Sequence, residues 1–555
     1  MSTPPLPSPR LPRDRYLDLP EIDVWGAALV EAHPGLLRRE IIGHSGEGRP
    51  IWLYTLGRLD GAEDHRPAFW VDGGTHCAEW AGVSAAVDGL QRWLDAAVAG
   101  GPMLDWLGQH TIYVAPCVSP DGYAAMRAGA PYTRSTLERA PEGTVEAGWT
   151  PRDLTGDGVV RLLRWRHPAG PFVVDAEQPL HMRARRLDDD PADAFFVAEE
   201  GQFELWDGAC WRAAPRKHGL DLNRNFPGDW APRSGFGMHS GAFPGSAPEA
   251  RAMLEAVAAR PNIGAAITHH TFSGVLLIQP YRADSVLGES DLLRVKALAQ
   301  DAVRGTRYAA VPVHPDFAYD PKAAIGGVWA DTLSTVFGLP AYTLEIWDPF
   351  AAAGVTPAHR GRFFREPEPA LLQALVRRFA DAPGTAPWAA FDHPQLGPVE
   401  IGGLDLQRTV RNPPEDLLAE ELDQVFTIVD RARRALPRLE VQISVVPLGP
   451  NHAEISVQID NLGFLPTAGL DRGAAIGRAP ALRLEVEGHP PAALGQLEGW
   501  GCARVGAASL PLLPALSQGG SRLLHRAVVA GPGPWRVAWH SARAGRGEAW
   551  ARREG

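Results

Sequence analysis

Cysteine is scarce in this 555-residue chain: there are four, at positions 77, 117, 210 and 502, with no Cys-x-x-Cys spacing. That excludes a disulfide framework and a zinc site built from thiolates. No run of about eighteen apolar residues occurs, so no membrane-spanning helix is expected. The N-terminal MSTPPLPSPRLPRDRYLDLP lacks an apolar core and does not read as a signal peptide, which makes a cytoplasmic location the expectation. Positive charge is in deficit, with 54 Lys and Arg against 65 Asp and Glu, a net charge of -11. Such a balance argues against nucleic acid as a partner.

Apolar residues make up 45% of the chain and charged residues 21%, the balance of a folded globular protein. The length exceeds one ordinary core, so two or three domains are expected. Residues 1–15 are proline-rich and read as a flexible arm. From 16 to 385, strand-like apolar runs (68–71, 111–115, 263–268, 275–278, 341–347) alternate with helical spacing such as Val83, Val87, Leu90 and Leu94. This alternation predicts α/β layers.

Residues 130–217, rich in Arg, Asp, Pro and Trp, interrupt the rhythm and read as an insertion over one edge. Within it, 153–158 imitates the start of a calcium loop, yet Arg164 stands where the twelfth position requires a bidentate Glu. A tight Asp/Gly turn is the expectation there. Residues 386–436 are expected to be a connector with a helix over 414–435. Beyond 437 the apolar residues alternate (Val441, Ile443, Val445; Ile455, Val457, Ile459; Leu482, Leu484, Val486), which predicts a β-sandwich over 437–555.

Five local features carry chemistry. His76 and Glu79 follow the break at Gly73-Gly74 and precede an amphipathic helix, so both can turn back on one spot. A second His with them would complete a three-ligand zinc site that keeps one position open for water. His269 and His270 close a strand and point to opposite faces if the strand continues through both. Glu345 lies among apolar strand residues, where desolvation raises a carboxyl pKa toward the range of a general base and acid. Asn223 and Arg224 set an amide beside a guanidinium, the planar group that grips a carboxylate bidentately. Arg134 lies thirteen residues after Asp121, with Arg139 close by.

In order and spacing these features resemble the M14 zinc carboxypeptidases of the carboxypeptidase A type, over roughly residues 16–385. The 461–467 stretch, NLGFLPT, resembles the extra C-terminal β-domain of some bacterial members. The resemblance implies a mixed central sheet flanked by helices, with one zinc per chain held by His76, Glu79 and His270. It also implies Glu345 and Arg134 as catalytic residues and Asn223 and Arg224 as the clamp on the substrate's terminal carboxylate. Tyr319, seven residues before Gly326-Gly327, matches the tyrosine that covers bound substrate. Ala330, one residue before Asp331, stands where the family sets side-chain preference, and no acid there argues against C-terminal Lys or Arg. Cys77 is expected to point away from the ligands on either side of it.

The activity implied is hydrolysis of a peptide's C-terminal bond by metal-activated water, with Glu345 as base and then acid. The substrate would be a peptide or small amide with a free C-terminal carboxylate. A zinc amidase acting on a non-peptide or cell-wall-derived amide would use the same groups. A binding protein with a vestigial site is the reading from a different class.

Overall fold

All side chains of the strands Ala68–Asp72 and Thr111–Ala115 are buried, as are all nine of Ile263–Thr271. Strands buried at every position, rather than at alternate ones, belong at the centre of a sheet covered on both faces. The computed structural model, which describes residues 9–136, 147–206, 208, 220–235, 238–318, 325–364, 366–502 and 520–553, places them there. An eight-stranded mixed sheet runs in the order Leu37–His44, Pro50–Leu56, Thr111–Ala115, Ala68–Asp72, Ile263–Thr271, Ala341–Ile346, Val275–Ile278, Ala309–Pro312. The four strands from Thr111–Ala115 to Ala341–Ile346 are mutually parallel, and antiparallel pairs flank them.

Helices cover both faces. Leu19–Ala32, Trp80–Val98, Glu289–Val303 and Glu415–Arg433 bury their apolar stripes on one side, including the expected Val83, Val87, Leu90 and Leu94. Pro248–Ala258 and Trp329–Thr335 cover the other. Pro120 opens a further helix, Pro120–Arg127. Proline suits a first helical position because its missing N–H has no partner there in any case.

Three expectations about organisation are corrected. Residues 386–403 are no connector. They form the hairpin Ala386–His393 and Gly397–Gly403, whose second strand pairs antiparallel with Leu162–Arg166 of the insertion. A six-stranded sheet thus joins the insertion to the chain after the α/β unit. The helix of the supposed connector, Glu415–Arg433, belongs to the core layer. Nor are residues 9–15 of the expected arm free: the Arg13 guanidinium lies 2.8 Å from the buried Asp88 and 2.6 Å from Asp423. A carboxylate sheltered from water demands such a partner.

The 153–158 stretch is the tight turn expected. Asp153 accepts from the N–H groups of Gly156 (2.7 Å) and Gly158 (2.8 Å). The buried Glu200 accepts from those of Leu154, Thr155 and Arg161.

The C-terminal unit is the expected sandwich. A three-stranded sheet (Leu439–Pro447, His452–Asn461, Arg522–Ala530) faces a four-stranded one (Ala492–Ala493, Arg483–Val486, Trp535–Ser541, Gly545–Ala551). Ile455, Val457 and Ile459 meet Leu484, Val486 and Val537 between them.

The turn that leaves Ala68–Asp72 depends on close backbone approach: a Cβ on Gly73 would stand 2.5 Å from Gly82 O. Gly73→Ala is therefore expected to cost about 1–3 kcal/mol, read by denaturant unfolding, and to lower the metal content with it.

Candidate metal and catalytic site

Parallel neighbours present their C-terminal ends on one edge of a sheet, and the crevice outside those ends is where α/β sheets hold ligands. His76 and Glu79 stand on the turn after Ala68–Asp72, Glu79 at the cap of helix Trp80–Val98. His270 is the penultimate residue of the adjacent strand and is in register with Glu345, the penultimate residue of the next. His76, Glu79 and His270 are all buried, with ligand atoms within 4.8 Å of one another.

Glu79 reaches both imidazoles: Oε1 lies 2.9 Å from His76 Nδ1 and Oε2 2.9 Å from His270 Nδ1. The two Nδ1 atoms are 3.0 Å apart. His76 Nε2 lies 3.1 Å from Asp221 Oδ1. A neutral His76 carries one proton and faces two carboxylates, so it can satisfy only one of them by donation. If Nε2–H serves Asp221, the Nδ1 lone pair faces Glu79 and His270 across a space that calls for a cation. A His with its outer nitrogen held by a carboxylate is the usual posture of a metal ligand. Two imidazoles and one carboxylate suit zinc, and these residues fit it.

The charges around the site are balanced. Burial opposes ionisation of Glu79, but His76 and His270 hold its carboxyl well below the usual range. Burial likewise opposes that of Asp221, which Arg134, Arg224 and His76 hold down. Arg134 Nη1 donates to Glu79 Oε1 (3.2 Å) and Nε to Asp221 Oδ2 (3.4 Å). Burial pushes Glu345 well above the ordinary carboxylate range, and the Glu79 charge adds to it. Glu345 itself is half-buried between buried neighbours.

Asp221 also caps the short turn Leu222–Arg224, accepting from Asn223 N at 3.0 Å. Asn223 Oδ1 accepts from Trp329 N (2.8 Å), and Arg224 Nη1 donates to Asn223 O (2.7 Å). Gly327, at φ +71°, allows the chain to pass Arg224, since a Cβ there would lie 2.2 Å from Arg224 O.

His76, Glu79, His270, Arg134, Asn223, Arg224 and Glu345 therefore converge. Tyr319 and Arg139 lie outside the described residues. Ala330 is fully buried in the apolar core. His269 faces the opposite side, close to Gly82, and burial pulls its pKa down to about 3, which leaves it a neutral core residue. Cys77 points away, its Sγ bonding to Thr133 O (3.0 Å). Two groups were not singled out from the sequence. Asp221 was legible as an acid two residues before the Asn-Arg pair. Asp72 accepts from Trp329 Nε1 (2.9 Å), a contact that left no signal because Trp329 is 257 residues away.

Replacing Asp221 by Asn keeps the shape but removes the charge behind His76. Zinc affinity is expected to fall about 10–100-fold, measured by competition with a chromogenic chelator. An unchanged affinity would show that His76 does not depend on Asp221.

The zinc carboxypeptidase family model matches residues 22–159 and 191–359, more than half of the chain. Mast cell carboxypeptidase A of Rattus norvegicus is 26% identical over 315 residues, covering 54% of this chain and 57% of that protein. Carboxypeptidase B of Astacus astacus is 34% identical over 109 residues, covering 20% and 34%. The chain thus spans from about a quarter to just over half of the curated relatives it matches. Among solved structures, carboxypeptidase A from Helicoverpa armigera is 18% identical with a TM-score of 0.41, over 67% of this chain and 74% of that one. A metallo-carboxypeptidase from Burkholderia cenocepacia is 13% identical with a TM-score of 0.32, over 65% and 67%. On the extent of the family match, the chain belongs to the zinc carboxypeptidase family.

Proposed function

We propose that this chain is a zinc-dependent carboxypeptidase that hydrolyses the C-terminal bond of a peptide with a free terminal carboxylate. The observation that carries the proposal is the register of His270 with Glu345, which sets a raised-pKa carboxyl beside the three metal donors. Zinc, when bound, supplies a Lewis acid that activates water and polarises a carbonyl.

The rest is the work of the chain's own side chains. Glu345, protected from full hydration, takes a proton from water and returns it to the departing amine. Arg134, anchored on Glu79 and Asp221, offers its guanidinium to the oxygen on which charge develops. Asn223 and Arg224 bind the terminal carboxylate and so align the last peptide bond with Glu345. A free C-terminus is selected over an internal bond because only a carboxylate satisfies Arg224.

Paired assays of free-acid and amidated forms of one N-blocked dipeptide test the proposal. Losing the charged contacts to Arg224 is expected to cost about 1.5–3 kcal/mol, roughly 10- to 150-fold in kcat/KM. Equal turnover of the amide would favour the amidase instead. Glu345→Gln is expected to lower kcat by about 10²–10⁴-fold while zinc stays at one per chain. Turnover preserved in that variant would remove Glu345 from the mechanism. A further consequence concerns pH. The base must be ionised, and burial holds Glu345 above its ordinary value of 4.5. Binding of a cation by Glu79 removes the like-charge contribution but leaves that of burial. The acidic limb of kcat/KM is therefore expected above pH 4.5, with the rate rising as pH rises through it, in a profile taken with the zinc-loaded enzyme.

A further inference from the structure

The C-terminal sandwich grips the catalytic unit at residues 468–473, which lie between the ends of two helices. On one side, Asp291 in the first turn of Glu289–Val303 accepts from the backbone N–H groups of Asp471 (2.8 Å) and Arg472 (3.0 Å). Arg294 from the same helix lies 2.8 Å from Asp291 and 3.3 Å from Asp471. On the other side, Arg472 Nε donates to Thr335 O (2.9 Å), the last residue of Trp329–Thr335. The Arg543 guanidinium, 3% exposed, donates to Gly338 O (2.7 Å), Phe337 O and Ala468 O. The two backbones meet so closely that a Cβ on Gly338 would stand 2.2 Å from Gly473 Cα.

The opposite end of the Trp329–Thr335 helix is where the proposed carboxylate clamp is held. Trp329 N donates to Asn223 Oδ1 (2.8 Å), and Thr332 Oγ1 accepts from Gly228 N (2.8 Å) in the turn after Arg224. Asp331 accepts from Gln279 Nε2 (2.8 Å), on the loop that leads into the other gripped helix. A helix of seven residues is only about 10 Å long and too short to be stable by itself. Its position is set by what holds its two ends.

We propose that the C-terminal sandwich is a positioning element for the substrate-carboxylate clamp. Arg543 and Arg472 are its positioning residues: they fix the C-terminal end of Trp329–Thr335, and through Trp329 and Thr332 they fix Asn223 and Arg224. The inference rests on the carboxypeptidase reading of Arg224. It assigns the sandwich a part in substrate affinity beyond support of the fold.

The test uses full-length, zinc-loaded protein and its variants Arg543→Met, Arg543→Lys and Arg472→Met. Benzoyl-blocked dipeptides varied at the last residue, as free acids and as amides, serve as substrates. The readouts are kcat, KM, zinc content and Tm. Arg543→Met is expected to raise KM for the free acids by at least ~10-fold, with zinc at one per chain and KM for the amides unmoved. Discrimination between acid and amide then narrows. Arg543→Lys is expected to restore part of it, and Arg472→Met to show a smaller rise. A lowered Tm with unchanged KM and unchanged discrimination overturns the inference, because the sandwich then only stabilises the fold. Should Arg543→Met fail to fold, the less buried Arg472→Met decides by the same comparison. A parent protein that does not distinguish acid from amide overturns the carboxypeptidase reading as well, whereas full discrimination retained in the variants overturns this inference alone.

Discussion

One imidazole between two carboxylates governs this molecule. His76 lies 2.9 Å from Glu79 and 3.1 Å from Asp221, and all three are sheltered from water. Buried carboxylates are costly unless cations balance them, and the protein supplies Arg134 to both. Holding Arg134 there is a task for the surrounding backbone. Cys77 N donates to Arg134 O (3.1 Å), while a Cβ on Gly122 would stand 2.0 Å from Ser135 O. The residue next to one metal donor thus fixes the arginine that answers the other's charge.

The direction of the strands decides which other groups stand beside that local balance. Ala68–Asp72, Ile263–Thr271 and Ala341–Ile346 are neighbours and parallel, and their C-terminal ends present His76, His270 and Glu345 in sequence across the edge. An antiparallel neighbour would have put its corresponding residues at the far end of the sheet. The strict alternation of strand side chains then decides between adjacent histidines: His270 faces the site and His269 the helix packed on the other side.

What could be read in the sequence was what depends on local order. The His76–Glu79 spacing before a helix, the Asn223-Arg224 pair and Glu345 in an apolar strand combine side-chain chemistry with short-range geometry, and each sits where that geometry implies. The period-two stretches beyond 437 likewise became a sandwich because alternation is itself the cause of a two-faced strand. The pairing of Gly397–Gly403 with Leu162–Arg166 was not legible. Either strand could have stood at an edge, and nothing within a few residues records a partner more than 200 positions away. The same holds for Arg13 on Asp88 and for Trp329 on Asp72, where each residue alone reads as ordinary surface or core. Asp221 was a different omission, because its place before Asn223 marks a turn cap and conceals its contact with His76.

Two arginines in different settings distinguish the metal site from the domain contact. At the site, Arg134 meets the carboxylates of Glu79 and Asp221, which balance its charge. At the contact, Arg543 donates to carbonyl oxygens, and burial pulls its pKa down to about 9. Carbonyl dipoles at the end of a helix stabilise a cation less than a carboxylate would. They are also fixed to the backbone, whereas a carboxylate on a side chain can follow the arginine as it moves. A guanidinium that spans Phe337, Gly338 and Ala468 therefore sacrifices electrostatic stabilisation and gains a rigid joint between two backbones. Rigidity matters at this joint because the helix it terminates begins at the residue that holds Asn223.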